Sequence, residues 1–519
     1  MLWEIDSFAV LIDARAELTP DATMLVDDCG DTVTFAGYRS QARARARELA
    51  DLGIGSVSTV CWQLPNTVDA MVRFGALALL GAQQAPMPIA YRRREIGELL
   101  RLARPDLVVS AGLQGGRDHD VIVAEAIADV DKAIAQHRAG PLATEDVPDL
   151  AWAGTAESVS TAVRFLYATS GSTGTPKLAM HTDASILAWV RAQSSAQRIG
   201  ARDVVAYSVS LAHIAGAYMV GQALACGNTA LLLNGFDPER TTAEMDRHGA
   251  TVVVGVPTVF SALVQSWRES GRGAGLARLR FCASGAAPKP PDLHSDVRAA
   301  MGGRGLVTSY GMSEAGAIAV ATPDDTDEQL ENTVGRPVGG MSLRIVGADG
   351  TALGAGEVGE IRVQGPGVFV GYSDPALNGD VLDDDGYFRT GDLGVLRSDG
   401  HLAIVGRLKD VIIRKGENIV PQEIEKVLFR MPEVRDAVVV GVADARVGER
   451  VCAVVSLGPG LKLTLEQVAA ACLADGLMMQ KLPETLYVID EIPRTPTGKA
   501  DKVRLRADLA AGSSRSLPV

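Results

Sequence analysis

A doubly wound α/β architecture is the fold class this sequence predicts, followed by a β-barrel-like subdomain and a small α+β domain. Three observations carry that expectation. Short β-branched runs alternate with helix-length segments through the first two thirds of the chain. Near residue 335 the texture changes to strands separated by Asp-Gly and Gly-rich turns, the mark of antiparallel pairing. After residue 409 a compact run of helix, two strands and helix completes the chain.

In chain order, residues 57–64 read as a strand and 67–80 as a helix, with Val68, Met71, Val72, Ala76 and Leu79 on one face. Residues 107–110, 204–209, 229–233 and 251–256 are short apolar runs near turn residues, the pattern of buried parallel strands. Residues 182–197 and 238–248 read as helices between them. Further strands are expected at 342–346, 359–363, 367–372 and 401–406, the last after the Asp399-Gly400 turn. Pro421 suits the first turn of a helix over 421–430. Strands at 437–442 and 451–457 and a helix at 465–473 complete the pattern. The expected domains are 1–408, with the β-rich part at about 335–406, and 409–519.

Bulk properties narrow the function classes. A chain of 519 residues has room for several buried cores. Its net charge of −13 argues against non-specific nucleic-acid binding and adsorption to anionic membranes. The six cysteines are scattered, without a C-x-x-C or zinc-site spacing, which fits a reduced cytoplasmic setting. The stretch Met1-Leu-Trp-Glu-Ile-Asp6 has acidic residues where a signal peptide carries basic ones. Apolar segments such as 216–226 fall short of the ~20 residues that span a bilayer. The basic cluster Arg92-Arg93-Arg94 leaves peripheral membrane contact open, although a solvated helix start explains it equally. Monomer and homodimer both remain open.

The most informative stretch is Tyr167-Ala-Thr-Ser-Gly-Ser-Thr-Gly-Thr-Pro-Lys177, after a strand at 163–166. Gly171 and Gly174 permit close backbone approach. Thr169, Ser170, Ser172 and Thr173 bring hydroxyls, and Lys177 adds a positive charge. Such a loop suits a polyphosphate, while the composition alone also fits a Gly/Ser-rich surface loop. It is not a Walker A loop, because Gly174 lies three residues before the lysine and Leu178 comes directly after it. Six further stretches carry polar groups useful to a nucleotide enzyme. They are Ser284-Gly-Ala-Ala-Pro288, Ser309-Tyr-Gly-Met-Ser-Glu-Ala-Gly316, Tyr387-Phe-Arg-Thr-Gly-Asp-Leu-Gly394, Gly406-Arg-Leu-Lys-Asp410, Arg414-Lys-Gly-Glu-Asn-Ile-Val-Pro421 and Pro493-Arg-Thr-Pro-Thr-Gly-Lys499. Taken singly, each is an ordinary turn, cap or surface loop.

Together and in this order they resemble the adenylate-forming superfamily of acyl-CoA synthetases, adenylation domains and luciferases, most closely an acyl-CoA synthetase. The resemblance runs from about residue 30 to about residue 505. It implies ATP, Mg2+ and CoA as ligands. It also implies that loop 169–177 and Ser313 hold phosphates and that Glu314 helps hold Mg2+. Ser284, Gly285, Ala286, Tyr310 and Gly311 would line adenine, and Asp392 and Arg407 would bind ribose. Lys499 would bridge the substrate carboxylate and the α-phosphate. Lys409 would be the pivot of a mobile small domain, and Gly416 would flank the thiol tunnel.

Ser210-Leu-Ala-His-Ile-Ala-Gly216 resembles the family's acid-pocket motif. His213 is expected near the carboxylate or the tunnel, a hydrogen-bonded core histidine being the alternative. Val209, Ala212, Ala215, Gly216 and Val256 give the expected pocket an apolar character. Ile214 stands where catechol-activating relatives carry asparagine, and Leu178 and Asp183 replace a usual glycine and histidine. The expected activity is ATP-dependent conversion of an apolar acid to acyl-AMP, then to acyl-CoA. The alternatives are loading of an acyl carrier protein and a non-catalytic nucleotide binder.

Overall fold

The computed structural model describes residues 2–140, 161–170, 176–271, 275–415, 417–444, 446–495, 499–510 and 517–518. The chain divides into two compact units. The first comprises Met1–Ala286, Leu293–Leu343 and Val363–Phe388; the second comprises Ala287–Asp292, Arg344–Arg362 and Arg389–Val519.

Two large sheets organise the first unit. One has nine strands, in the order Arg336–Pro337, Gly316–Val320, Leu306–Met312, Phe281–Ser284, Val252–Gly255, Val204–Ser208, Thr229–Leu232, Thr23–Asp27 and Thr32–Thr34. From Leu306–Met312 through Thr23–Asp27 every pairing is parallel. The runs of Val, Leu and Ala in these strands fit that arrangement, because a parallel sheet is covered on both faces. The helices Asp183–Ala196 and Ile214–Cys226 contribute to the larger core, and Pro257–Glu269 to a second core across the sheet.

The other sheet has seven strands, in the order Gly371–Tyr372, Pro176–Thr182, Val163–Ser170, Gln83–Pro86, Thr59–Gln63, Leu107–Ser110 and Ala135–Arg138. The helix Val68–Leu80 lies between two of its strands in sequence. It starts at Thr67, whose hydroxyl accepts from the Ala70 N–H, and stops at Gly81 with φ 66°. The strand expected over 163–166 continues to Ser170 and pairs antiparallel with Pro176–Thr182. The described ends of the polar stretch, Thr169 and Ser170 on one side and Pro176 and Lys177 on the other, therefore lie on paired antiparallel strands.

The second unit holds most of a four-stranded sheet, in the order Ser342–Val346, Val358–Gln364, Phe388–Leu396 and Leu402–Arg407. Beyond it, Val434–Asp444 and Gly448–Leu457 form a long antiparallel pair. The helices Pro421–Phe429 and Leu465–Ala474 supply apolar side chains to the core that includes this pair. Among the described residues no helix is long and apolar enough to cross a membrane.

Candidate active site

The hairpin Val163–Ser170/Pro176–Thr182 sets Thr169 opposite Lys177. The Lys177 Nζ lies over the ring of Tyr372, 4.9 Å from its centroid. Gly171, Ser172, Thr173 and Gly174 lie outside the described residues.

In the same unit, the strands Leu306–Met312 and Gly316–Val320 form a tight hairpin that carries Ser313 and Glu314 in its turn. Gly311 is required there, because a Cβ would stand 2.0 Å from the Gly316 carbonyl oxygen. Tyr310 is buried on the first strand. The turn is fastened at three points. The His181 Nε2–H donates to the Ser313 carbonyl at 2.6 Å. The Phe369 N–H donates to the Glu314 carbonyl at 2.8 Å. The Tyr372 hydroxyl donates to Glu314 Oε1 at 2.9 Å.

Burial holds the His181 imidazole down to about 4, so the ring is neutral at neutral pH. A carbonyl only accepts, so Nε2 bears the proton and Nδ1 takes the Ser185 hydroxyl, 3.0 Å away. Burial, reinforced by Glu314, pushes the Tyr372 hydroxyl well above its ordinary range and keeps it a donor. Because that donor is neutral, the Glu314 charge is left to meet a cation. Among the described residues no group of three His, Cys, Asp or Glu side chains is arranged to hold a metal. A single carboxylate such as Glu314 could supply one oxygen ligand to a hard cation such as Mg2+.

Ser284 ends the strand Phe281–Ser284, and Ala286 takes a left-handed φ of 67°. A Cβ on Gly285 would stand 3.0 Å from the Ser309 carbonyl oxygen. Ser284 and its register neighbour Thr308 both have buried hydroxyls without a hydrogen-bond partner. They sit at the carboxyl ends of parallel strands, where ligands of open α/β sheets bind. Thr308 lies just ahead of the Ser309–Gly316 stretch and is not part of any motif read from the sequence.

His213 is the N-cap residue of Ile214–Cys226, and its carbonyl accepts from the Gly216 N–H at 2.8 Å. Gly216 is required by the Leu211 carbonyl, which a Cβ would approach to 1.9 Å. Val209 is half-buried and packs on the larger core, which includes Ala212; Ala215 is half-buried, and Val256 packs on the second core. Asn66 ties this segment down: its Nδ2–H donates to the Val209 carbonyl at 2.7 Å, and its Oδ1 accepts from the Leu211 N–H at 3.0 Å. Asp183 is buried. Its Oδ2 accepts from the Phe8 N–H at 2.9 Å, and burial pushes its carboxyl up to about 7.

In the second unit, Asp392 and Arg407 face each other across paired strands, with Oδ1 and Nε 3.0 Å apart. Lys409 sits in the turn Leu408–Asp410. Partial burial of its ammonium, then the charge of Arg407, lowers it from the usual lysine range. Lys499 is exposed, and its carbonyl accepts from the Thr495 N–H at 2.7 Å. Gly416 lies outside the described residues.

Residues 12–373 match the family described as AMP-binding enzyme, and residues 423–499 match the AMP-binding enzyme C-terminal domain. The chain belongs to the AMP-binding enzyme family. The sulfoacetate–CoA ligase of Cupriavidus necator is 32% identical, over 96% of this chain and 97% of that protein. The medium-chain fatty-acid–CoA ligase of Escherichia coli is 30% identical, over 98% and 91% respectively. The crystal structure of ATP-bound MatB from Rhodopseudomonas palustris superposes with a TM-score of 0.83 at 27% identity, covering 97% of this chain and 99% of that one. The chain is an AMP-forming acid–thiol ligase that uses ATP with Mg2+, a carboxylic acid and CoA.

Proposed function

We propose that the acid is apolar: a fatty, alicyclic or steroid-derived carboxylate converted to acyl-AMP with release of pyrophosphate, then to acyl-CoA. One observation carries this reading. The segment 209–216 and Val256 contain no formally charged side chain, and Val209, Ile214 and Val256 are half-buried against apolar cores. Relatives of similar identity are named for acids as unlike as sulfoacetate and medium-chain fatty acids, so the choice rests on these residues.

In the proposed mechanism residues Thr169 to Lys177 and Ser313 receive the phosphates. Ser284, Gly285, Ala286, Tyr310 and Gly311 take adenine, and Asp392 and Arg407 take the ribose. A carboxylate oxygen attacks the α-phosphorus, and pyrophosphate leaves with the β-phosphate oxygen. Both reactants are anions, so positioning and cationic stabilisation dominate the barrier. Lys499 supplies the mobile cation. Mg2+, when bound at Glu314, neutralises phosphate charge. Turning of the domain 409–519 on Lys409 then removes Lys499 and admits thiol past Gly416. The sulfur attacks the acyl carbon, AMP leaves, and His213 lies in the segment proposed to face that carbon.

The test is AMP release with CoA across hexanoate, decanoate, cyclohexanecarboxylate, salicylate and sulfoacetate. Turnover should rise with apolar size and be negligible for sulfoacetate. Preference for sulfoacetate or salicylate would overturn the apolar assignment. Adenylation of decanoate without CoA-dependent AMP release, restored by a phosphopantetheinyl carrier protein, would move the acceptor to that carrier.

A further inference from the structure

The turn bearing Ser313 and Glu314 is held by side chains from two segments distant in sequence, and neither belongs to the set assigned above. Tyr372 lies on the edge strand Gly371–Tyr372, paired antiparallel with Pro176–Thr182. Its hydroxyl bonds Glu314 at 2.9 Å while its ring carries the Lys177 amine at 4.9 Å. One side chain therefore touches both the hairpin cation and the carboxylate. Tyr372 is itself fixed. The Asn378 side chain accepts from its N–H at 2.8 Å and donates to its carbonyl at 3.0 Å. Its ring meets Phe369 edge-on at 5.0 Å. His181, on the same strand as Lys177, holds the preceding carbonyl, that of Ser313.

We infer that Tyr372 is a positioning residue for the metal–phosphate centre: its hydroxyl aims the Glu314 carboxylate and its ring aims Lys177, with His181 as the second strut of the same turn. A neutral donor suits this task, since it fixes one carboxylate oxygen without cancelling the charge that a divalent cation needs. A carboxylate with one oxygen fixed also loses less rotamer freedom on taking a metal.

The inference rests on the reading of Glu314 as the Mg2+ carboxylate, and the experiment separates the two. Calorimetric titration with α,β-methylene ATP, with and without Mg2+, gives the factor by which the ion tightens nucleotide binding, with no turnover needed. Glu314→Gln should abolish most of that factor. Tyr372→Phe, which keeps the ring under Lys177, should cut it by roughly tenfold and leave metal-free affinity unchanged. The double variant should be no worse than Glu314→Gln alone, because the hydroxyl acts through the carboxylate. His181→Leu should reduce the factor, and His181→Gln, which keeps a donor near the Nε2 position, should restore it. Melting temperatures report whether each variant folds.

If Tyr372→Phe matches the parent while Glu314→Gln loses the factor, Tyr372 is not a positioning residue. If Glu314→Gln matches the parent, the metal assignment itself fails. If His181→Leu and His181→Gln behave alike, His181 is removed as a strut.

Discussion

Glu314 and Asp392 are both carboxylates held by a hydrogen-bond donor about 3 Å away, and the donors differ in kind. Glu314, in the first unit, is held by the neutral Tyr372 hydroxyl. Asp392, in the second, is held by the Arg407 guanidinium. A neutral donor leaves the carboxylate attractive to a cation, whereas a guanidinium satisfies its charge and leaves acceptor lone pairs for hydroxyl groups. The contrast extends to the surroundings. Glu314 sits in a turn braced by His181, Phe369 and Tyr372. Lys499, by contrast, is an exposed side chain of the second unit. The first unit braces its carboxylate from several sides, and the second carries Lys499, the cation proposed to be delivered.

The largest effect is expected from removing the cation proposed to be delivered. Lys499→Ala should lower acid-dependent pyrophosphate exchange by roughly 10²–10³-fold while sparing thioester formation from supplied acyl-adenylate. Equal loss in both half-reactions would erase the distinction between held and delivered groups. Lys409→Pro should preserve exchange and slow the thiol step by about tenfold or more, because proline fixes φ at the proposed pivot. An unimpaired thiol step would take the hinge away from Lys409. Asp392→Asn should raise the KM for ATP by about tenfold with little change in kcat and no change in Mg2+ dependence. A shift in Mg2+ dependence there would show that the two carboxylates are not specialised as the contrast requires.

The smallest effect is on stability. Asp183 keeps its proton in the folded chain up to about pH 7, whereas the unfolded chain loses it near the ordinary aspartate value. Its folded pKa is raised, so its contribution is fully present below the unfolded pKa and fades as pH rises toward 7. Asp183→Asn should therefore gain on the parent by on the order of 1 kcal/mol per pH unit between about pH 4 and 7 in urea melts. His181, held down to about 4, slopes the opposite way, losing stability as pH falls from about 6.5. A pH-independent gap between parent and Asp183→Asn would mean that the native carboxylate is solvated.

The parallel strands and their helices were legible because each is a short apolar run between turn signals, a local property. The helix Val68–Leu80 could be read from its apolar face within a few residues, although Thr67 caps it rather than opening it. The hairpin at 163–182 was harder, because a Gly/Ser-rich loop after a strand leads equally well into a helix or a returning strand. Tyr372, His181 and Asn66 gave no local signal. Their partners lie 58, 132 and 145 residues away, and only the sheet brings them together. The burial of Asp183 was equally hidden, since it depends on helix Phe8–Leu18 docking its first N–H there.

The chemistry at the α-phosphorus is the core of the account, and isotope transfer tests it directly. With a doubly ¹⁸O-labelled apolar carboxylate, ATP and CoA, the AMP produced should carry one labelled oxygen. The acyl-CoA should keep the other. Unlabelled AMP, or ADP with the label in inorganic phosphate, would show that the carboxylate does not attack where this account places it.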